Sequence, residues 1–94
     1  MRTVTWSNAF ARSFKRWIRK RPDMHKDIAE ALGLLVVNPF ALQLETHKLK
    51  GKLSGSWACS AGYDLRIVFD FVKAEKDTED DIFLLAIGTH DEVY

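Results

Sequence analysis

A single cysteine, Cys59, stands in a chain of 94 residues. No internal disulfide can form, and a reducing compartment such as the cytoplasm is the natural setting. No apolar run approaches the roughly 20 residues that span a bilayer, so no membrane partner is expected. The start, Met1-Arg2-Thr3-Val4-Thr5-Trp6, lacks the apolar stretch of a secretory signal. Neither a P-loop nor a dinucleotide glycine pattern is present, which removes support for a nucleotide cofactor. Three histidines and one cysteine are scattered without close ligand spacing, arguing against a zinc site. No cofactor and no metal are expected. Cys59 has no activating neighbour in sequence and reads as a small buried hydrophobe. Repeats, low-complexity segments and linkers are also missing.

What is there suits one domain over residues 1–94. With 47% hydrophobic residues, three Trp and six Phe, the chain has apolar material for one core. The net charge of +1 conceals a split: residues 1–52 carry eleven Lys/Arg against four Asp/Glu, and residues 53–94 three against nine. The halves stand near +7 and −6. Such asymmetry fits a basic surface for phosphates on one side of the molecule, although for most of the lysines a solvated helix face is the favoured reading.

Arg2 to Trp6 alternates as a short strand. Ser7 is placed to cap a helix in which Phe10, Phe14, Trp17 and Ile18 repeat at helical spacing, with Arg12, Lys15, Arg16, Arg19 and Lys20 on the other faces. Pro22 suits the first turn of a second helix carrying Met24, Ile28, Ala31, Leu32 and Leu35, which Asn38-Pro39 ends. Phe40 to Glu45 reads as a loop with apolar anchors, and 47–56 as a basic, glycine-containing loop before a strand opening at Trp57-Ala58-Cys59. A long strand follows from Tyr63 to Val72, then a polar hairpin loop from Lys73 to Asp81 and a buried strand from Ile82 to Gly88. The fold class is α+β: a small antiparallel sheet with an N-terminal helical hairpin packed on one face, in the order β-α-α-β-β-β.

The strand from Tyr63 contains the anomaly. At a period of two, Tyr63, Leu65, Ile67 and Phe69 share one face, while Asp64 and Arg66 share the other with Val68. An acid and a guanidinium on a core strand are costly unless that end opens onto solvent or a polar site; an ordinary ion pair is the plainer alternative. Other residues that break the apolar pattern are His47, Lys48, Lys50, Lys52, His90, Asp91 and Tyr94. An antiparallel order can bring these to one rim of the sheet. His, Asp, Arg and Lys together suit RNA phosphodiester cleavage, in which a base takes the 2′-hydroxyl proton, an acid protonates the leaving 5′-oxygen and a cation meets the developing charge. Imidazole can take either proton-transfer role near neutral pH.

Three motifs carry a family resemblance over nearly the whole chain: His47-Lys48-Leu49-Lys50-Gly51, Gly62-Tyr63-Asp64-Leu65-Arg66-Ile67-Val68-Phe69, and Ile87-Gly88-Thr89-His90-Asp91-Glu92-Val93-Tyr94. In this order they resemble toxins of the RelE/ParE superfamily of bacterial type II toxin–antitoxin systems, and more narrowly the RelE and YafQ branch of ribosome-associated mRNA endonucleases. The resemblance implies a RelE-like fold and a metal-independent endoribonuclease that cleaves mRNA on the ribosome to stop translation. It also implies a cognate antitoxin forming a hetero-oligomer with the chain, in the cytoplasm. By the same resemblance His47, Asp64 and His90 match catalytic positions, Arg66 the arginine on the scissile phosphate, and Tyr94 a terminal aromatic that stacks on or orients the nucleotide; Lys48, Lys50 and Lys52 would hold RNA. A further histidine of the YafQ pattern falls near Ser60, and the paired lysines of RelE fall in Trp57-Ala58-Cys59. The alternatives keep the fold: a ParE-like gyrase poison, or a domain that binds without turnover.

Overall fold

The computed structural model describes residues 2–74 and 79–93. Strand β1 (Val4–Trp6) leads through Ser7 into helix α1 (Asn8–Lys20). The cap is the expected one: the Phe10 amide donates to Ser7 Oγ at 3.0 Å, and the Ser7 hydroxyl donates to the Leu85 carbonyl at 3.3 Å. One side chain thus satisfies a helix-end amide and ties the helix to the sheet. Helix α2 (Met24–Val37) starts two residues after Pro22. Pro22 belongs to the turn that feeds the helix, its carbonyl accepting from the His25 amide at 3.2 Å. The helix ends at Asn38, as the following proline requires.

After one 3-10 turn at Leu42–Leu44, the strands are β2 (His47–Lys48), β3 (Trp57–Ala61), β4 (Leu65–Val72) and β5 (Asp81–Thr89), and a short helix α3 (His90–Val93) closes the described chain. The sheet order is β1-β5-β4-β3-β2. Neighbours from β2 to β5 are antiparallel, but β1 runs parallel to β5, with Val4 opposite Ile82. The expected all-antiparallel sheet is therefore mixed. Short loops dictate antiparallel pairing only for strands consecutive in sequence, and β1 is separated from β5 by the rest of the fold. The basic loop contributes the fifth strand, β2.

Both helices cover one face of the sheet. There Phe10, Ile28 and Leu35 meet Leu65, Ile67, Phe69 and Leu84, all with no exposed surface. The opposite face is thinner: Leu49, Ala58 and Val68 are buried, with Leu53, Leu85, Ala86 and Val93 partly covering them. A bulge divides β5 between the two faces. Phe69 pairs with Leu84 but Val68 with Ala86, so Leu85 is the extra residue. It shifts the alternation by one, and Ile82, Leu84 and Ile87 all reach the helical face. Among the described residues no polar or charged side chain is buried.

The turn between β3 and β4 corrects one expectation. Tyr63 does not line up with Leu65 but is 97% exposed, because the strand begins only at Leu65. Gly62 stands at φ +70° with the Asp27 carboxylate against it, leaving no room for a Cβ. That left-handed glycine turns the chain sharply and puts Tyr63 and Asp64 outside the ladder.

Candidate active site

The thin face carries an open groove of about 560 Å³ lined by His47, Lys48, Leu49, Lys50, Lys52, Leu53 and His90. Five of the expected functional residues meet there from segments more than 35 positions apart. The loop that supplies four of them is pinned at several points. Leu44 and Leu49 are buried, the Thr46 hydroxyl donates to the Pro39 carbonyl at 2.5 Å, and the Leu49 amide donates to the Ser56 carbonyl at 2.9 Å. His47 pairs with Ala58 and Lys48 with Trp57, so the pleat sends the histidine to the groove face and its neighbour towards the rim. Lys48 Nζ stands 5.9 Å from the centre of the Trp57 ring, close enough for a cation–π contact.

Nδ1 of His47 lies 3.0 Å from the Glu45 carbonyl oxygen. A carbonyl only accepts, so this contact is a hydrogen bond where Nδ1 carries the hydrogen.

His90 arrives at the groove through α3, which the sequence reading did not anticipate. Glu92 builds its start: Oε1 accepts from the Thr89 amide at 3.1 Å, and Oε2 meets Arg16 Nη2 of α1 at 3.3 Å. Gly88 lets the turn close, since a Cβ there would stand 2.9 Å from Glu92 Oε1 and 3.2 Å from Val93 Cγ1. Arg16 and Glu92, which hold the start of α3, were not singled out from sequence, although Thr89-His90-Asp91-Glu92 carries the spacing of a capping box. Nδ1 of His90 also lies 3.7 Å from the Asp91 carboxylate.

Arg66 and Asp64 stand apart from this group. Arg66 lies on the groove face, paired with Ser60 on one side and Gly88 on the other, about 10 Å across the sheet from β2 at the usual strand spacing. It does not line the groove. Its Nη1 donates to the Tyr63 and Leu65 carbonyls at 3.4 and 3.0 Å, drawing the guanidinium toward the turn. No ion pair with Asp64 exists among the described residues. Asp64 is an exposed turn residue at the sheet end that also carries α3, since Leu65 pairs with Thr89. Tyr94 lies outside the described residues. Cys59 is fully buried, and its thiol is pushed up to about 12 by burial, against a smaller opposing pull from Arg66. It remains a thiol at neutral pH, with no nucleophilic role. Among the described residues no group of three or more His, Cys, Asp or Glu is placed to hold a metal ion, and no helix is long and apolar enough to cross a membrane.

A search of the curated proteins found no match. Solved structures share the fold. YafQ from E. coli strain BL21(DE3) superposes with a TM-score of 0.77 at 18% identity, over 100% of this chain and 99% of that one. The E. coli DinJ–YafQ complex gives 0.76 at 19%, over 100% and 99%. A metal-bound toxin from Helicobacter pylori gives 0.77 at 28%, over all of both chains. The family model for the bacterial toxin of type II toxin–antitoxin systems, YafQ, matches residues 2–94. With that match over almost its whole length, the chain belongs to the YafQ family of type II toxin–antitoxin toxins.

Proposed function

We propose that this chain is an endoribonuclease that cleaves mRNA on the ribosome, with the proton transfers carried by His47 and His90. The observation that supports this most is the groove in which two imidazoles stand among Lys48, Lys50 and Lys52 on the uncovered face of the sheet. His47, whose Nδ1 faces the Glu45 carbonyl, acts as the base. It takes the proton of the 2′-hydroxyl as that oxygen attacks the adjacent phosphorus. The bond from phosphorus to the 5′-oxygen breaks, and protonated His90 gives its proton to the departing oxygen. The products are a 2′,3′-cyclic phosphate and a free 5′-hydroxyl. The lysines hold the flanking phosphates, and Arg66, two strands away on the same face, meets charge on the nonbridging oxygens once RNA lies across the sheet. Asp64, at the end of the sheet shared with α3, and Tyr94 complete the set, acting on the orientation of the nucleotide.

The partners in this reading are mRNA in the ribosome and a cognate antitoxin, so the chain works in the cytoplasm. The solved DinJ–YafQ complex supports the expectation of an antitoxin. So does an exposed apolar patch next to the basic loop: Phe40 and Leu42 are 57% and 92% exposed, beside a cleft of about 450 Å³ walled by Trp57 and Phe71. An antitoxin segment covering this patch and the basic loop would gain affinity from both. Purified protein incubated with translating ribosomes should leave new mRNA 5′ ends within codons. Cleavage that is absent there, beside inhibition in a gyrase supercoiling assay, would overturn the nuclease and favour the gyrase poison.

A further inference from the structure

Ser56 closes the basic loop at the point where three strands meet. Its carbonyl accepts from the Leu49 amide at 2.9 Å, its amide donates to the Leu53 carbonyl at 3.0 Å, and its hydroxyl donates to Asp70 Oδ1 at 2.6 Å. The first two bonds stay within the hairpin of β2 and β3, and the third reaches across to β4. Trp57 pairs with Phe69, so one step further Ser56 lies opposite Asp70, and the alternation puts both on the groove face with Ala58 and Val68. Between Leu49 and Ser56 the loop carries Lys50 and Lys52, which line the groove. Of residues 50–55 only Leu53 is even half-buried, so the placement of these lysines depends on that contact and on how the ends of the loop are held. Asp70 is an acid on the face that carries the lysines. By charge alone it would oppose the binding of phosphates there.

We propose that Asp70 is a positioning residue, gripping Ser56 so that the loop holds Lys50 and Lys52 at the groove. The consequence is tighter binding of RNA, obtained through geometry and against the sign of the charge on Asp70. The inference rests on the RNA-cleaving reading for its ligand, but the hold on the loop can be measured without RNA.

The test uses the full chain and a single-stranded 2′-O-methyl RNA, which lacks the attacking hydroxyl, with binding followed by fluorescence anisotropy. Asp70→Ala should weaken binding about tenfold, in line with the loss of one hydrogen bond to a charged group. Asp70→Asn keeps an acceptor for the Ser56 hydroxyl and should restore most of it. A carboxylate acting only through its charge would instead give tighter binding in both variants. In a chain already carrying Lys50→Ala and Lys52→Ala, Asp70→Ala should change binding by less than about twofold, since the loop then has no cations left to place. Amide exchange in the ¹⁵N-labelled chain gives the reading without RNA. The Ser54 and Ser56 amides, which donate to the Gly51 and Leu53 carbonyls, should exchange severalfold faster in Asp70→Ala and at the parent rate in Asp70→Asn. Ser56→Ala, which removes the donor, serves if Asp70→Ala fails to fold. Tighter or unchanged RNA binding by the folded alanine variant overturns the proposal, as does an equal loss in the chain without the two lysines, or parent exchange rates in Asp70→Ala. If the parent binds no RNA while the exchange behaves as expected, the nuclease reading fails and the anchoring of the loop stands.

Discussion

The two faces of the sheet differ in what lies on them. On one, two amphipathic helices seal aliphatic and aromatic side chains completely. On the other, a loop, a four-residue helix and a few small side chains cover the strands only in part, and the titratable residues gather there. In the proposed function, stability and chemistry are thus carried by opposite sides of the same strands. The alternation along β4 makes this possible, Ile67 and Phe69 pointing to the helices while Arg66 and Val68 point to the groove.

The sharpest test of that separation is loss of an imidazole. His90→Ala and His47→Ala should each lower cleavage by roughly 10² to 10⁴-fold, with thermal unfolding unchanged because both side chains are exposed. Unaltered turnover in both would remove the groove from the mechanism. The reverse case is Phe69→Ala, which empties a fully buried site on the helical face and should cost about 3 to 5 kcal/mol in denaturant unfolding. Any surviving folded fraction should cleave normally.

Glu92→Ala probes the seam between the faces. Losing the cap on α3 should cost about 1 kcal/mol at most, and the exposed pair with Arg16 adds little. Yet His90 should lose its fixed approach to the groove, so cleavage should fall roughly tenfold, about 1.4 kcal/mol in the barrier, while global stability barely moves. Equal losses in both would mean that α3 supports the fold rather than the site. The smallest effect is expected from Cys59. Its folded pKa is raised from 9.0 to about 12, so the thiol adds stability below pH 9 that is lost as pH rises toward 12. In that window the unfolded chain releases the proton first. Cys59→Ala should show a shallower alkaline decline than the parent, measured by unfolding at pH 8 to 11.

The helices were legible in the sequence because Phe10, Phe14, Met24, Ile28 and Leu35 fall at a period that only a helix satisfies, and Ser7 and Pro39 mark their ends. The two faces of β4 were legible for the same kind of reason. Parallel pairing of β1 was not, since Val4–Trp6 is too short for its own pattern to name a neighbour. The bulge at Leu85 sits inside an unbroken apolar run, where a slip of one residue changes nothing visible. In the site, His47, the lysines and His90 could be chosen by type and order. The remoteness of Asp64 could not, because it depends on Gly62 turning the chain three residues before the strand begins. Tyr94 lies outside the described residues.

The parallel join between β1 and β5 has a consequence in time. Ser7 and Leu85, linked by a hydrogen bond, are 78 positions apart, and at ribosomal rates of about 5 to 20 residues per second the first waits roughly 4 to 16 s for the second. Until residues 81–89 exist, β1 and β4 have no strand between them, and the last of these residues leads directly into His90. The groove that brings His47 and His90 together therefore cannot be complete until the last strand of the sheet has been made, however early the basic loop is in place.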